Sequence, residues 1–256
     1  MIPKIIHYCW FGGNPLPSLA IRCINSWKKF FPDYEIKEWN ENNFDVNIIP
    51  YTQEAYQAKK YAFVSDYARF WILYKYGGLY FDTDVEVIKS MDDIIDRGPF
   101  MGCENTIEGN HTKTLNVAPG LGLGVNAKHI LYKEILDLYA NLHFFTVSGG
   151  YNLQTVVKYV TDILYAHGLK NVNGIQECAG IYIYPKDWFC PVDLCTGEIR
   201  LTSNSRAIHY YAGSWTSLHR RLKKKIQKLI GSHLTFCIIR LKQVILTIFE
   251  KLGMKY

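Results

Sequence analysis

Apolar positions in this chain switch repeatedly between strand spacing and helical spacing. Residues 4–10 form an apolar run that predicts a buried strand, and Phe11-Gly12-Gly13-Asn14-Pro15-Leu16-Pro17 ends it with glycines that let backbone approach a ligand. Leu19, Cys23, Ile24, Trp27 and Phe30 recur at helical spacing, and Pro32 stops them. Residues 34–39 alternate like a second strand. A helix over about 54–76 presents Phe63, Tyr67, Phe70, Trp71 and Tyr74 on a broad apolar side and closes on the pair Gly77-Gly78. Leu79-Tyr80-Phe81 then reads as a short strand carrying Asp82 and Asp84 at its carboxyl end, with residues 85–88 extending it past a bend. Further helices are expected over 130–142 and 152–166, and late strands over 181–184 and 207–211. Alternating strands and helices predict an α/β fold. The run Pro119-Gly120-Leu121-Gly122-Leu123-Gly124 lacks the strand-to-helix context and downstream acid of a dinucleotide fingerprint, and reads instead as a backbone-lined wall of a sugar pocket.

Composition narrows the class. With 48% hydrophobic and 20% charged residues, the 256-residue chain is globular and long enough to bury a substantial core. The net charge of +6 belongs to one end. Residues 219–256 hold ten Lys/Arg against one acid, a net +9, whereas residues 1–218 hold 19 against 22, a net −3. The body is therefore no nucleic-acid binder. After Arg220-Arg221-Leu222-Lys223-Lys224-Lys225, the positions Leu234, Cys237, Ile238, Leu241, Ile245, Ile248, Phe249 and Leu252 form a stripe of 3.6-residue period. A basic amphipathic helix of this kind suits an anionic membrane surface. Arg240 and Lys242 interrupt its apolar run, so it would lie on a bilayer, or pack on protein, rather than span the membrane. Seven cysteines without a CxxC argue for reduced thiols, and the amino terminus has too short an apolar run for a signal peptide. The expected location is cytoplasmic, peripheral to the inner face of the cell membrane.

The chemistry concentrates in Asp66-Tyr67-Ala68-Arg69 and in Gly77-Gly78-Leu79-Tyr80-Phe81-Asp82-Thr83-Asp84. Two carboxylates closing an apolar strand repel each other unless a cation bridges them. Hard divalent cations take oxygen ligands and recruit substrate phosphates, and ligands of open α/β sheets bind at the carboxyl ends of the strands. Asp66 and Arg69 lie three residues apart on one helix face. That spacing allows a surface ion pair, or alternatively an acceptor for ribose hydroxyls beside a planar donor for phosphate. His209, in His209-Tyr210-Tyr211-Ala212-Gly213-Ser214-Trp215, is placed to complete a metal shell.

These blocks, with Ile2-Pro3-Lys4-Ile5-Ile6-His7-Tyr8-Cys9-Trp10-Phe11-Gly12-Gly13, resemble the glycosyltransferase DXD sugar-binding family. That family includes capsular-polysaccharide sugar transferases and fungal α-mannosyltransferases, and its core is similar to that of clostridial glucosylating toxins. The resemblance covers residues 1–90, returns at 209–215, and implies a GT-A fold. It makes residues 1–218 the catalytic domain and 219–256 a tail. It implies transfer of a sugar, with retention of configuration and Mn²⁺ or Mg²⁺ as cofactor, to a lipid-linked or polysaccharide acceptor. The donor would be a nucleotide-diphosphate sugar, with UDP-hexose favoured and GDP-mannose possible. By position, Asp82, Asp84 and His209 would serve the metal, and Asp82, Asp84, Arg69 and Trp215 the chemistry. Tyr8, Trp10, Gly12, Asp66, Arg69, Asn152, Gln154, Ser214 and Trp215 would contact the nucleotide sugar. Two other readings stay open. A haloacid-dehalogenase-type phosphatase also ends a strand in Asp-x-Asp, although Glu86 stands where it needs a small or apolar residue. A catalytically silent sugar-binding protein would bind glycan without metal.

Overall fold

The computed structural model describes residues 1–107, 113–193 and 197–213. The basic tail, the expected boundary at 218, Ser214, Trp215 and Cys195 lie outside the described residues. The described chain divides into two compact units. One comprises residues 1–191 and 201–212; of the other, the described part is residues 192–193, 197–200 and 213, where Val192 and Ile199 form an antiparallel bridge.

The larger unit is built on a mixed sheet. β1 (Ile5–Cys9) is flanked by parallel partners β2 (Glu35–Trp39) and β3 (Gly78–Tyr80). Next comes antiparallel β7 (Leu123–Val125), then β5 (Phe100–Ile107), β9 (Ile181–Tyr184) and β8 (Gln176–Cys178), giving the order β2-β1-β3-β7-β5-β9-β8, with β6 (Lys113–Val117) also paired to β5. Helices cover both faces. α2 (Pro50–Gln57), α3 (Tyr61–Tyr76), α5 (Ile130–Ala140) and α6 (Val156–Ala166) bury Tyr51, Phe70, Tyr132 and Val160 in one core. α1 (Ser18–Phe30), α4 (Asp92–Arg97) and α7 (Lys186–Phe189) bury Trp27, Ile94 and Phe189 in the other. The α/β expectation holds, with β1 flanked by its parallel partners β2 and β3. Among the described residues no helix is long and apolar enough to cross a membrane.

Four expected elements differ, each for a local reason, the first being the strand expected over 207–211, which stops at His209. The single helix expected over 54–76 is two, because Lys59 adopts a left-handed φ of 57° and Lys60 N–H closes back on Ala55 O, a capping turn usually marked by glycine. Residues 85–88 do not extend β3. They form β4 (Val85–Val87), which pairs antiparallel with β10 (Ala207–His209) in a separate two-stranded sheet. The helix expected from 152 starts at Val156, which leaves Asn152 and Gln154 in the preceding loop.

The turn from α3 into β3 needs its glycines. Gly77 and Gly78 have φ of 66° and 101°, and a Cβ on Gly78 would meet Ile5 O at 2.6 Å. His7 braces the same turn. Trp39 Nε1–H donates to His7 Nδ1 at 3.0 Å, so the neutral ring carries its proton on Nε2 and donates it to Gly77 O, also at 3.0 Å. Burial, with the Lys37 charge against the Gly77 bond, lowers the His7 pKa from 6.5 to about 4. The folded state therefore resists a proton that the unfolded chain accepts. His7's contribution to stability is full above about pH 6.5 and is lost as pH falls through about 4, a difference of about 3 kcal/mol. Urea unfolding at pH 7 and pH 4.5 is expected to show a steeper acid loss in the wild type than in His7→Asn.

Candidate metal and donor site

Each expected site residue is placed by an identifiable element. β3 runs out between β1 and β7, and Phe81 N–H still donates to His7 O at 3.3 Å. The chain then turns, Val85 N–H closing on Asp82 O at 3.0 Å, so that Asp82 and Asp84 stand together at the carboxyl end of the strand. Arg69, buried on α3, reaches both carboxylates of its neighbourhood. Its Nη1 lies 3.1 Å from Asp66 Oδ1 and its Nη2 lies 3.0 Å from Asp82 Oδ1. Tyr80 supports the pair: its hydroxyl donates to Asp82 Oδ1 at 3.0 Å while its ring lies under the Arg69 guanidinium at 5.1 Å. Asp82 Oδ2 faces Gly120, where a Cβ would come within 2.1 Å, and Asp82 N–H donates to Gly120 O at 3.2 Å. The glycine run expected to line a pocket thus begins by making room for Asp82, and its last glycine, Gly124, sits in β7.

On the other side, β10 brings in His209. Its Nε2 lies 3.1 Å from Asp84 Oδ1, and its buried Nδ1 has no partner among the described residues. Ala212 N–H donates to Asp84 Oδ2 at 2.8 Å, and Tyr210 N–H donates to Asp84 O at 3.0 Å. Asp82, Asp84 and His209 each offer a ligand atom, all within 4.8 Å of one another. Two carboxylates and an imidazole form a donor set that divalent cations accept, and the orphaned Nδ1 and the cradle at Gly120 fit a charged occupant.

Asp84 and His209 shift each other's protonation. Burial pushes the Asp84 carboxyl up, but the His209 charge and hydrogen bond and the Ala212 N–H outweigh it and hold Asp84 below the usual carboxylate range. Burial also opposes a charge on His209, and Asp84 overcomes it, leaving the imidazole above its ordinary value. Asp66 is the exception. Burial, helped by the negative charge of Asp82 and only partly offset by Arg69, raises it from 3.8 to about 7. One guanidinium is shared between two carboxylates and serves Asp82 more fully. Asp66 also accepts the N–H of Val156, the first residue of α6, so it ties α3 to that helix terminus.

The remaining nominees are dispersed. Tyr8 is a core residue whose hydroxyl donates to Glu38 at 2.6 Å. Trp10 follows β1, half-buried, with Nε1–H on Asn14 O at 2.6 Å. Gly12 has φ 95° and packs where a Cβ would strike the Tyr61 ring at 2.3 Å. Asn152 Nδ2 donates to the Tyr159 hydroxyl at 3.0 Å, and Gln154 is exposed beside it. Sequence reasoning missed Tyr80, Gly120 and the main chain of Ala212. Only Gly120 carried a signal, as part of a glycine-rich run whose close neighbour a linear reading cannot name.

Residues 17–101 match the family described as "Glycosyltransferase sugar-binding region containing DXD motif". The match takes in about a third of the chain. It contains Asp66, Arg69, Asp82 and Asp84; His209 lies beyond it. Two fission-yeast proteins (Schizosaccharomyces pombe) are similar over a comparable length of chain. Inositol phosphoceramide mannosyltransferase 3 is 34% identical over 98 residues, 37% of this chain and 27% of that protein. Inositol phosphoceramide mannosyltransferase 1 is 31% identical over 111 residues, 39% of this chain and 33% of that protein. The chain thus spans about a quarter to a third of the length of these relatives. A glycosyltransferase involved in glycosylation of the major capsid of PBCV-1 overlaps 88% of this chain and 100% of its own at 12% identity, with a TM-score of 0.47.

The cradle at Gly120 gives a direct expectation. Gly120→Ala displaces the Asp82 carboxylate against its Arg69 and Tyr80 anchors, and a misplacement of about 1 Å at a reacting centre costs roughly 10²-fold in rate. Steady-state transfer kinetics alongside a thermal unfolding midpoint check that the loss is local.

Proposed function

We propose that this chain is a metal-dependent glycosyltransferase of GT-A type that moves a sugar from a nucleotide-diphosphate donor to a glycan with retention of anomeric configuration. The observation that carries this reading is the meeting of Asp82 and Asp84, from the DXD segment, with His209 from β10. These three residues would hold the cation, and a neutral imidazole among them favours Mn²⁺ over Mg²⁺. When bound, the cation supplies Lewis-acid stabilisation of the charge that collects on the departing diphosphate.

The chain's own groups do the rest. Arg69 and Tyr80 fix the Asp82 carboxylate from two directions, so its orientation is set before substrate arrives. Asp66, paired with Arg69, is the acceptor expected for ribose or sugar hydroxyls, and Trp10 the ring expected near the base. Ser214 and Trp215 are expected at the β-phosphate. No carboxylate among the described site residues stands apart as a covalent nucleophile: Asp82 and Asp84 face the cation position and Asp66 is paired with Arg69. The reaction is therefore same-face attack, with the departing phosphate accepting the acceptor's proton. Trapping a sugar–enzyme adduct would overturn that step. Capsular or other surface polysaccharide is the expected product, the basic tail bringing the enzyme to a membrane that carries a lipid-linked acceptor. The mannosyl transfer named for the fission-yeast relatives keeps GDP-mannose beside UDP-hexose as a candidate donor.

The test is a panel of UDP- and GDP-sugars assayed for Mn²⁺-dependent release of nucleoside diphosphate, with the product anomer read by NMR and Asp84→Ala as control. Release by one donor, metal-dependent and lost in the variant, supports the reading. A panel without release, alongside metal-free glycan binding, favours a silent sugar-binding protein.

A further inference from the structure

β10 stops at His209 although the sequence stays apolar and aromatic through Tyr211, and the cause is a backbone outlier. Tyr211 has a φ of 49°, a left-handed conformation that a bulky aromatic residue rarely adopts. Such outliers persist only where surrounding contacts over-determine them, and they cluster at functional sites. The contacts here are explicit. The Tyr211 hydroxyl donates to Glu104 Oε2 at 2.6 Å, and its oxygen lies 2.9 Å from Cys190 Sγ. A phenol has one proton to give, so the thiol donates to Tyr211 while Tyr211 donates to the carboxylate. The Tyr211 ring lies 4.1 Å, centroid to centroid, from the His209 imidazole. The reversal at Tyr211 directs the following N–H, that of Ala212, onto Asp84 Oδ2. On the opposite side Tyr210 anchors the same segment, its hydroxyl 2.5 Å from Glu86 Oε2 and its ring under Arg22.

We propose that Tyr211, held in its left-handed turn by Glu104, is the positioning residue that sets the His209 limb of the cation site. The proposal rests on the reading of Asp82, Asp84 and His209 as cation ligands. The Glu104–Tyr211 strut fixes the plane of the imidazole by ring contact and aims the Ala212 N–H at Asp84, so that both partners of the His209–Asp84 contact are oriented by one residue. Neither Glu104 nor Tyr211 is a ligand; both act through His209 and Asp84. Outer-shell partners of this kind are typically worth 10- to 100-fold in metal affinity.

The test is Mn²⁺ binding followed by electron paramagnetic resonance, with electron spin echo modulation reporting imidazole nitrogen on the ion and thermal unfolding of the metal-free protein run in parallel. The wild type is expected to bind one Mn²⁺ with a ¹⁴N signature from His209. Tyr211→Phe, which keeps the ring and loses the strut to Glu104, is expected to weaken Mn²⁺ binding at least 10-fold and to diminish the ¹⁴N signal. Tyr211→Asn relieves the backbone, since asparagine tolerates the left-handed region, and is expected to keep or raise the unfolding midpoint while losing the same Mn²⁺ affinity. Glu104→Ala removes the strut's acceptor on β5 without touching the strained residue and is expected to weaken binding in the same direction. Wild-type Mn²⁺ affinity and an unchanged ¹⁴N signal in all three variants overturn the proposal while leaving the cation site standing. A fall in the unfolding midpoint of Tyr211→Asn that tracks the loss of Mn²⁺ also overturns it, because the role is then structural. If the wild type binds no Mn²⁺, the cation reading itself fails.

Discussion

Asp84→Ala is expected to lower sugar transfer by several orders of magnitude with only a modest change in unfolding midpoint. Two effects combine. The substitution removes a proposed cation ligand, and cation-derived stabilisation of a departing diphosphate is on the order of several kcal/mol, about tenfold in rate for each 1.36 kcal/mol. It also removes the acceptor that holds Ala212 N–H and the His209 imidazole, so the β10 limb loses its register on the DXD turn. Asp84→Asn separates the two. The amide oxygen still accepts from Ala212, but the negative charge that raises His209 above its ordinary value is gone. Transfer rates of Asp84→Asn close to those of Asp84→Ala would show that charge matters more than anchoring. Titrating Mn²⁺ against rate in both variants is the measurement.

Arg69→Ala carries the second large effect, this time on stability. The guanidinium is nine-tenths or more buried and reaches Asp66 through one nitrogen and Asp82 through another. Removing one partner of a buried ion pair leaves uncompensated charge and costs about 3–5 kcal/mol. Here two carboxylates lose their partner, and Asp66, already raised to about 7, would protonate further. Arg69→Lys is expected to recover little, because a single ammonium cannot present two separated donors in the fixed fork that reaches both acids. Urea unfolding of both variants at pH 8 checks this. A lysine variant as stable as wild type would show that only the net charge counts.

The parts of the site that lie close together in sequence were legible there. Asp66 and Arg69 fall on one helix face by spacing alone, the glycine pair marks the turn, and the apolar triplet before Asp82 declares a strand end. His209 could be nominated because it opens the block His209-Tyr210-Tyr211-Ala212-Gly213-Ser214-Trp215 that carries the family resemblance. What escaped reading depends on pairing between distant segments. Nothing in Val85–Val87 says that its partner is β10 rather than more of β3, since both arrangements bury the same valines. The break between α2 and α3 was hidden because lysine, not glycine, takes the left-handed position. Tyr80 read as one more apolar strand residue, yet its hydroxyl supports Asp82, and Tyr211 read as strand because composition does not report a positive φ. Tyr8, nominated by position beside Trp10, packs its ring on Trp27 in the core.

The central claim is that one divalent cation sits among Asp82, Asp84 and His209 and meets the diphosphate of a sugar donor there. Anomalous diffraction at the manganese edge, from crystals grown with MnCl₂ and a nucleoside diphosphate, tests it most directly. The expected result is a single anomalous peak in contact with all three side chains and with phosphate oxygens. Nucleotide bound in the pocket with no anomalous density beside those residues would contradict it.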